Sequence, residues 1–216
     1  MEPITIHTED GLHLEGEVRL PGGPARGTAV LCHPHPQFGG SKDHPLLWAI
    51  RIALAHVGLA VLSFNFRGVM GSEGSYGGGV SEVADTGAAI GAVRDRAPGP
   101  TLVVGWSFGA NVALRAAVAD ARVDSLALVA LPLGASAADL PSLPAPAELG
   151  RFDRPTLLMA GDEDPFCPAA ELRAIAARIP KGSVTIFKGA DHYFAKRERE
   201  AADAVGRFAR RTLFAG

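Results

Sequence analysis

The 216-residue sequence holds two cysteines, Cys32 and Cys167, and few aromatic residues, at 6% of the chain. Two cysteines are too few for a disulfide framework, so the chain has to fold on a core of its own. Neither charge dominates: 21 Lys and Arg face 23 Asp and Glu. That balance lacks the basic footprint of nucleic-acid or anionic-membrane binders, and neither partner is expected. No uninterrupted apolar run reaches about 18 residues, the length a membrane-spanning helix needs. The start, MEPITIHTEDG, lacks the basic end and apolar stretch of a secretory leader, so a soluble cytoplasmic protein is expected. Histidine is missing over a long interval: six of the seven lie at or before His56, and only His192 follows.

Short apolar runs rich in β-branched residues alternate with helical patterns, which is the signature of a parallel sheet flanked by helices. Residues 3–8 and 11–20 read as an antiparallel pair joined at Asp10-Gly11, a common hairpin turn dipeptide. Residues 27–33, 59–65, 100–105, 125–131 and 155–161 read as buried strands, with 183–189 as the last. Pro45 opens a helix with Leu47, Ile50, Leu54 and Val57 at helical spacing, and Gly58 stops it. Further helices are expected near 81–96, 108–119, 169–179 and 195–213. At this length one domain over residues 1–216 is expected. The proline-rich stretch 134–150 reads as a surface excursion from it.

Directly after the strand at 100–105 stands Gly105-Trp106-Ser107-Phe108-Gly109, followed by a helical pattern. A serine on a sharp strand-to-helix turn needs small residues two before and two after it, where side chains would collide as the backbone folds back. The same turn puts the serine at a helix N-terminus, where free N–H groups favour developing negative charge. A nucleophilic serine needs a base, and in this architecture the chain order is serine, acid, histidine. Order alone selects His192, just past the strand at 183–189. The acid is expected among Asp162, Glu163 and Asp164, directly after the strand at 155–161, where it would orient the imidazole.

Two backbone N–H groups must hold the oxyanion of an acyl-transfer reaction. Phe108, the residue after the serine, offers one, and the loop His33-Pro34-His35-Pro36-Gln37-Phe38-Gly39-Gly40 offers the other. Pro34 and Pro36 have no N–H, which makes His35 the first candidate, with Gln37 or Phe38 in reserve. A zinc site built on the His-x-His pair would want a third ligand, and only Asp43 and His44 follow, at an unsuitable distance. No metal and no cofactor is therefore expected, and the rings of His33 and His35 are expected to brace the loop. The stretch YGGGVSE (76–82) lacks the spacing of a phosphate loop and reads as a flexible loop leading into a helix. Arg67 is either a structural ion-pair partner or a group for an acidic substrate, with structure favoured.

The stretches HPHPQFGGSKD, NFRGVMGSEGSYGGGVSEVAD, GWSFGAN, GDEDPFCP and GADHYF resemble a subgroup of small bacterial hydrolases in the α/β-hydrolase superfamily, often compared with carboxylesterases and dienelactone hydrolases. The resemblance runs from about residue 15 to the C-terminus. It implies a single-domain α/β-hydrolase fold, with a mostly parallel twisted sheet, helices on both faces and no large lid domain. It also implies that Asp164, fourth in Gly161-Asp162-Glu163-Asp164, is the acid. By the superfamily's strand order, two strands separate the regions of Cys32 and Cys167, a gap of roughly 14 Å that no disulfide spans, so two free thiols are expected.

The expected activity is a carboxylesterase-like serine hydrolase that cleaves small carboxylic esters through an acyl-enzyme on Ser107. With only 134–150 where relatives carry a lid, the pocket is expected to be shallow, walled by Phe38, Trp106, Leu133, Phe166 and Tyr193, and suited to compact acyl groups. A thioesterase, lactonase or peptidase with the same three residues is the alternative within enzymes, and a non-catalytic sensor retaining the fold is the alternative outside them.

Overall fold

A computed structural model describes residues 1–214. Eight strands form one sheet: β1 (Glu2–His7), β2 (His13–Arg19), β3 (Gly27–Cys32), β4 (Leu59–Phe64), β5 (Thr101–Trp106), β6 (Ser125–Val129), β7 (Thr156–Gly161) and β8 (Gly182–Phe187). Their spatial order is β1-β2-β4-β3-β5-β6-β7-β8. β1 pairs antiparallel with β2, as does β2 with β4, and every later pairing is parallel.

The apolar runs that read as strands are buried at every position in β3, β4, β5, β6 and β7. The cause is covering on both faces. α1 (Pro45–Val57) and α6 (Glu198–Leu213) pack on one side, where Ala29, Leu31, Val61, Val104 and Met159 meet Leu47, Ile50, Val205 and Phe208. α2 (Ser81–Arg94), α3 (Phe108–Ala119) and α5 (Ala169–Ala176) pack on the other, over Val30, Cys32, Leu62, Val103 and Leu128. Alternate residues of one strand thus fill two separate cores, and each such side chain contributes roughly 1.5–3 kcal/mol over its exposed state.

The stretch 134–150 forms one 3-10 turn at Gly134–Ala137 and opens α4 (Pro146–Arg151), which anchors to the core through Leu149 alone among its residues. It adds no lid. Three expectations shift in detail. The first hairpin closes at His7 opposite His13, leaving a loop of residues 8–12 where a tight turn at Asp10-Gly11 was expected. Thr8 explains the longer loop: its hydroxyl accepts from the Leu12 amide at 2.9 Å and donates to Asp10. α5 ends at Ala176 and continues as turns, while α6 begins at Glu198, because residues 189–197 form turns with Gly189, Phe194 and Lys196 at positive φ.

His33, at the end of β3, is fully buried and neutral by construction. Its Nε2 accepts the Phe66 amide at 3.0 Å, so Nδ1 carries the proton and donates to the Pro34 carbonyl at 2.6 Å. Burial pushes its pKa from 6.5 down to about 4. Both ring nitrogens are occupied in bracing the loop, as the sequence suggested, and no cluster of metal-ligating side chains occurs among the described residues.

Cys32 and Cys167 are both unpaired and buried, and burial pushes the Cys32 thiol up to about 12. A thiol reagent should find two groups in denatured, unreduced protein and almost none in the folded state; fewer than two after denaturation would contradict the strand order. His33 gives a second prediction. Its folded pKa lies below the unfolded one, so the folded state binds fewer protons, and stability falls as pH drops from about 6.5 toward 4. The full effect is about 3 kcal/mol on the scale of 1.36 kcal/mol per unit. Urea titrations of wild type and His33→Gln across that window should show a steeper acid loss in the wild type, and parallel curves would refute the assignment.

Candidate active site

Ser107 sits where β5 turns sharply into α3, with φ 55° and ψ −123°, a backbone conformation that side chains rarely adopt. Two glycines make the turn possible. A Cβ on Gly105 would strike the carbonyl of Gly109, and a Cβ on Gly109 would strike the carbonyls of Cys32 and His33. Their absence lets the first turn of α3 settle against the end of β3. Although Ser107 is the N-cap of α3, its hydroxyl caps no backbone amide. It meets His192 Nε2 instead, at 2.9 Å.

His192 Nδ1 lies 2.8 and 3.0 Å from the two carboxylate oxygens of Asp164. Nδ1 therefore holds the ring proton, leaving the Nε2 lone pair for the Ser107 hydroxyl. Asp164 Oδ1 also accepts the amides of Phe166 at 2.8 Å and Cys167 at 3.2 Å, which fixes the carboxylate. Of the three acids left open by residue type, Asp162 and Glu163 are exposed and Asp164 is buried. Asp162 instead caps the Gly189 amide. Gly161 contributes as the other glycines do, because a Cβ there would strike the Ala190 carbonyl, and this contact draws the end of β7 to the loop carrying His192.

The His192 loop is held from both sides. Asp191 accepts the amides of Tyr193 and Ala195, and Phe194 is fully buried in the α1–α6 core. Trp106, expected as a pocket wall, is 1% exposed and packs in that core. Its indole N–H donates to the His192 carbonyl at 3.1 Å, so it supports the histidine from beneath. Leu133 is buried too, and its amide donates to the Phe166 carbonyl. The remaining expected wall residues stand at the surface: Phe38 is 86% exposed, Tyr193 54% and Phe166 43%. The Phe166 and Tyr193 rings meet His192 edge-on at 4.8 and 5.5 Å, while Phe38 lies on His35 at 4.6 Å. The site is an open ledge with aromatic margins.

Across the ledge, His35 N-caps the 3-10 turn Pro36–Phe38. Its carbonyl accepts the amides of Phe38 and Gly40 at 3.1 and 3.0 Å, whereas its own N–H, like that of Phe108, has no acceptor among the described residues. The two rings lie 5.0 Å apart. Gln37, the reserve donor, spends its amide on His35 Nδ1, and Phe38 spends its own on the His35 carbonyl. The far end of the loop is pinned at Lys42, whose amide donates to buried Asn65 and whose ammonium meets Glu15, Glu17 and Asp43. Arg67 pairs with buried Asp85 through two nitrogens and reaches Asp10 at 2.9 Å, and these carboxylates hold its pKa above the ordinary value. It is a structural clamp.

Sequence reasoning missed two contributors. Tyr76 hydrogen-bonds His35 Nε2 at 3.1 Å, and buried Glu82 accepts the amides of Gly77 and Gly79 at 2.7 and 2.8 Å. The loop read as flexible is thus tied down. A glutamate three residues after Gly79, at capping-box spacing, was the available signal; nothing local marked Tyr76.

Comparisons with known proteins identify the family of the fold. The sequence profile of the family described as alpha/beta hydrolase domain matches residues 27–212. The chain is 29% identical to a lidless α/β serine hydrolase of Xanthomonas campestris, covering 99% of this chain and 95% of that one at a TM-score of 0.83. It is 30% identical to an α/β serine hydrolase homologue of Coxiella burnetii over 95% and 96%, with a TM-score of 0.82. An uncharacterised protein of Rickettsia prowazekii (strain Madrid E) is 28% identical over 95% of this chain and 87% of its own length. The chain belongs to the alpha/beta hydrolase family, and the solved structures it resembles include a lidless serine hydrolase.

Proposed function

We propose that the protein is a serine esterase that cleaves small carboxylic esters through an acyl-enzyme on Ser107. The observation that carries this reading is the hydrogen-bonded chain from Ser107 Oγ through His192 to Asp164, at 2.9 Å and 2.8 Å. Those contacts lie within the reach that proton transfer requires. As an ester carbonyl carbon comes within reach, Ser107 Oγ bonds to it and passes its proton to His192 Nε2, while the carbonyl π electrons move onto oxygen. The free amides of His35 and Phe108 receive that oxyanion, and the N-terminus of α3 adds its dipole. Asp164 stabilises the imidazolium and keeps its own charge. On collapse the C–O bond to the alcohol breaks, and His192 supplies the departing oxygen with its proton. Water then gives a proton to His192 and attacks the acyl carbon; the acid leaves and Ser107 recovers its hydrogen.

The open ledge suits compact acyl groups lying against Phe166, Tyr193 and Phe38, since α4 and the turn before it supply no roof over a long chain. Among the described residues no helix is long and apolar enough to cross a membrane. Two unpaired buried thiols suit a reducing compartment, and the cytoplasm is the proposed location.

Ser107→Ala should abolish turnover of p-nitrophenyl acetate, a fall of at least about 10³-fold on the scale of serine-enzyme nucleophile deletions, and wild-type activity in that variant would overturn the assignment. Trp106→Phe keeps an aromatic ring but leaves the His192 carbonyl without its donor, a loss of about 1–3 kcal/mol. Its kcat should fall about tenfold with KM little changed, since 1.36 kcal/mol corresponds to one decade in rate. Unchanged kcat would show that the indole does not hold the histidine in place.

A further inference from the structure

The hydrogen bond between His35 and Tyr76 joins two loops that sequence order keeps 41 residues apart. Its polarity is set by a neighbour. His35 Nδ1 accepts the Gln37 amide at 3.2 Å, and burial lowers the pKa of the ring, so the neutral imidazole carries its proton on Nε2. That proton goes to the Tyr76 oxygen. The phenol is itself held protonated by burial and by the nearby carboxylates of Glu82 and Asp139, which raise its pKa. Every polar atom of His35 except its amide N–H is thereby engaged: the carbonyl by Phe38 and Gly40, Nδ1 by Gln37, Nε2 by Tyr76. Of these four hydrogen bonds, only the one donated to Tyr76 reaches outside the 33–40 loop.

Tyr76 is well placed to act as a fixed post. Its backbone packs against Gly68, where a Cβ would meet Ser75 and Tyr76 too closely. The following glycines are held by Glu82, and Arg115 grips the Gly79 carbonyl at 2.6 Å. The Tyr76 ring lies 5.1 Å from that of His35 and 5.8 Å from that of Phe108, so it rests against both residues whose amides are free.

We propose that Tyr76 is a positioning residue for the oxyanion site, acting through its hydroxyl on the His35 ring to fix the direction of the His35 amide. This rests on the esterase reading above. The amide stabilises charge only if it is aimed where the oxyanion forms, and a small misplacement weakens the transition state more than the bound ester.

The test is a double-mutant cycle on p-nitrophenyl acetate with Tyr76→Phe and His35→Asn. Phenylalanine keeps the stacking and removes the hydroxyl; asparagine can still cap the Gln37 amide but is too short to reach Tyr76. Y76F alone should lower kcat about tenfold and leave KM within about twofold, as expected when one oxyanion donor is loosened, given 10²–10³-fold for outright loss. In the H35N background Y76F should have no further effect. An unchanged kcat in Y76F, a rise in KM alone, or the same fall in both backgrounds would each overturn the proposal. Should H35N fail to fold, inhibition by a phenylboronic acid decides the matter on Y76F alone. Its tetrahedral adduct on Ser107 places an oxygen at the same amides, so affinity should weaken about tenfold, and equal affinity would overturn the proposal. An unaltered protein without turnover would instead remove the esterase reading, and this inference with it.

Discussion

The contact on which the site depends is the approach of α3 to the end of β3, backbone to backbone, at Gly109. Nothing larger than hydrogen fits between that α-carbon and the carbonyls of Cys32 and His33. Because the two elements touch there, the residue that opens the helix, Phe108, and the loop residue His35 come together, their rings 5.0 Å apart. The left-handed backbone of Ser107 follows from the same packing, since a relaxed turn would carry the helix away from β3. Strain of order 1–3 kcal/mol at such a residue persists only where surrounding structure over-determines it. Here the surroundings are two filled cores, one on each face of β5.

Loops on that edge of the sheet are tied down by hydrogen bonds and ion pairs from buried polar side chains. Arg67 with Asp85 fixes the turn after β4, Lys42 with Asn65 fixes the far end of the His35 loop, and Glu82 fixes the glycines before α2. Buried charges of this kind would be costly if unpaired, so each cluster resists rearrangement more than it adds net stability. Under the proposed esterase reading this is preorganisation, the condition under which donors and acceptors lower a barrier. Three histidines here have distinct surroundings: His33 braces the loop through both ring nitrogens, His35 bonds Gln37 and Tyr76, and His192 faces the serine.

Much of this was legible in the sequence, for reasons that can be named. Short apolar runs, rich in β-branched residues and alternating with helical patterns, read as covered strands, so the strand count and the helices between them followed. Ser107 and His192 were legible because backbone sterics demand Gly105 and Gly109, and because only one histidine follows the serine. Asp164 was not separable from Asp162 and Glu163 by residue type, since the difference lies in which carboxylate the turn buries, and only the family resemblance chose it. Trp106 was misread as a wall. An aromatic residue beside a nucleophile points to substrate or core according to the strand's phase, and here that phase sends it under His192. Tyr76 lay beyond reach because its partner comes from a distant loop, and a glycine-rich neighbourhood looks mobile until the acceptor that holds it, Glu82, is seen in place.

The central claim is that one serine, tuned by one histidine, is chemically set apart from every other hydroxyl in the chain. The most direct measurement is mass spectrometry after exposure to a fluorophosphonate, with peptide mapping of the adduct. A single phosphonyl group on Ser107, lost when His192 is replaced by Ala, is the expected result. No adduct, or an adduct on another residue, would contradict it.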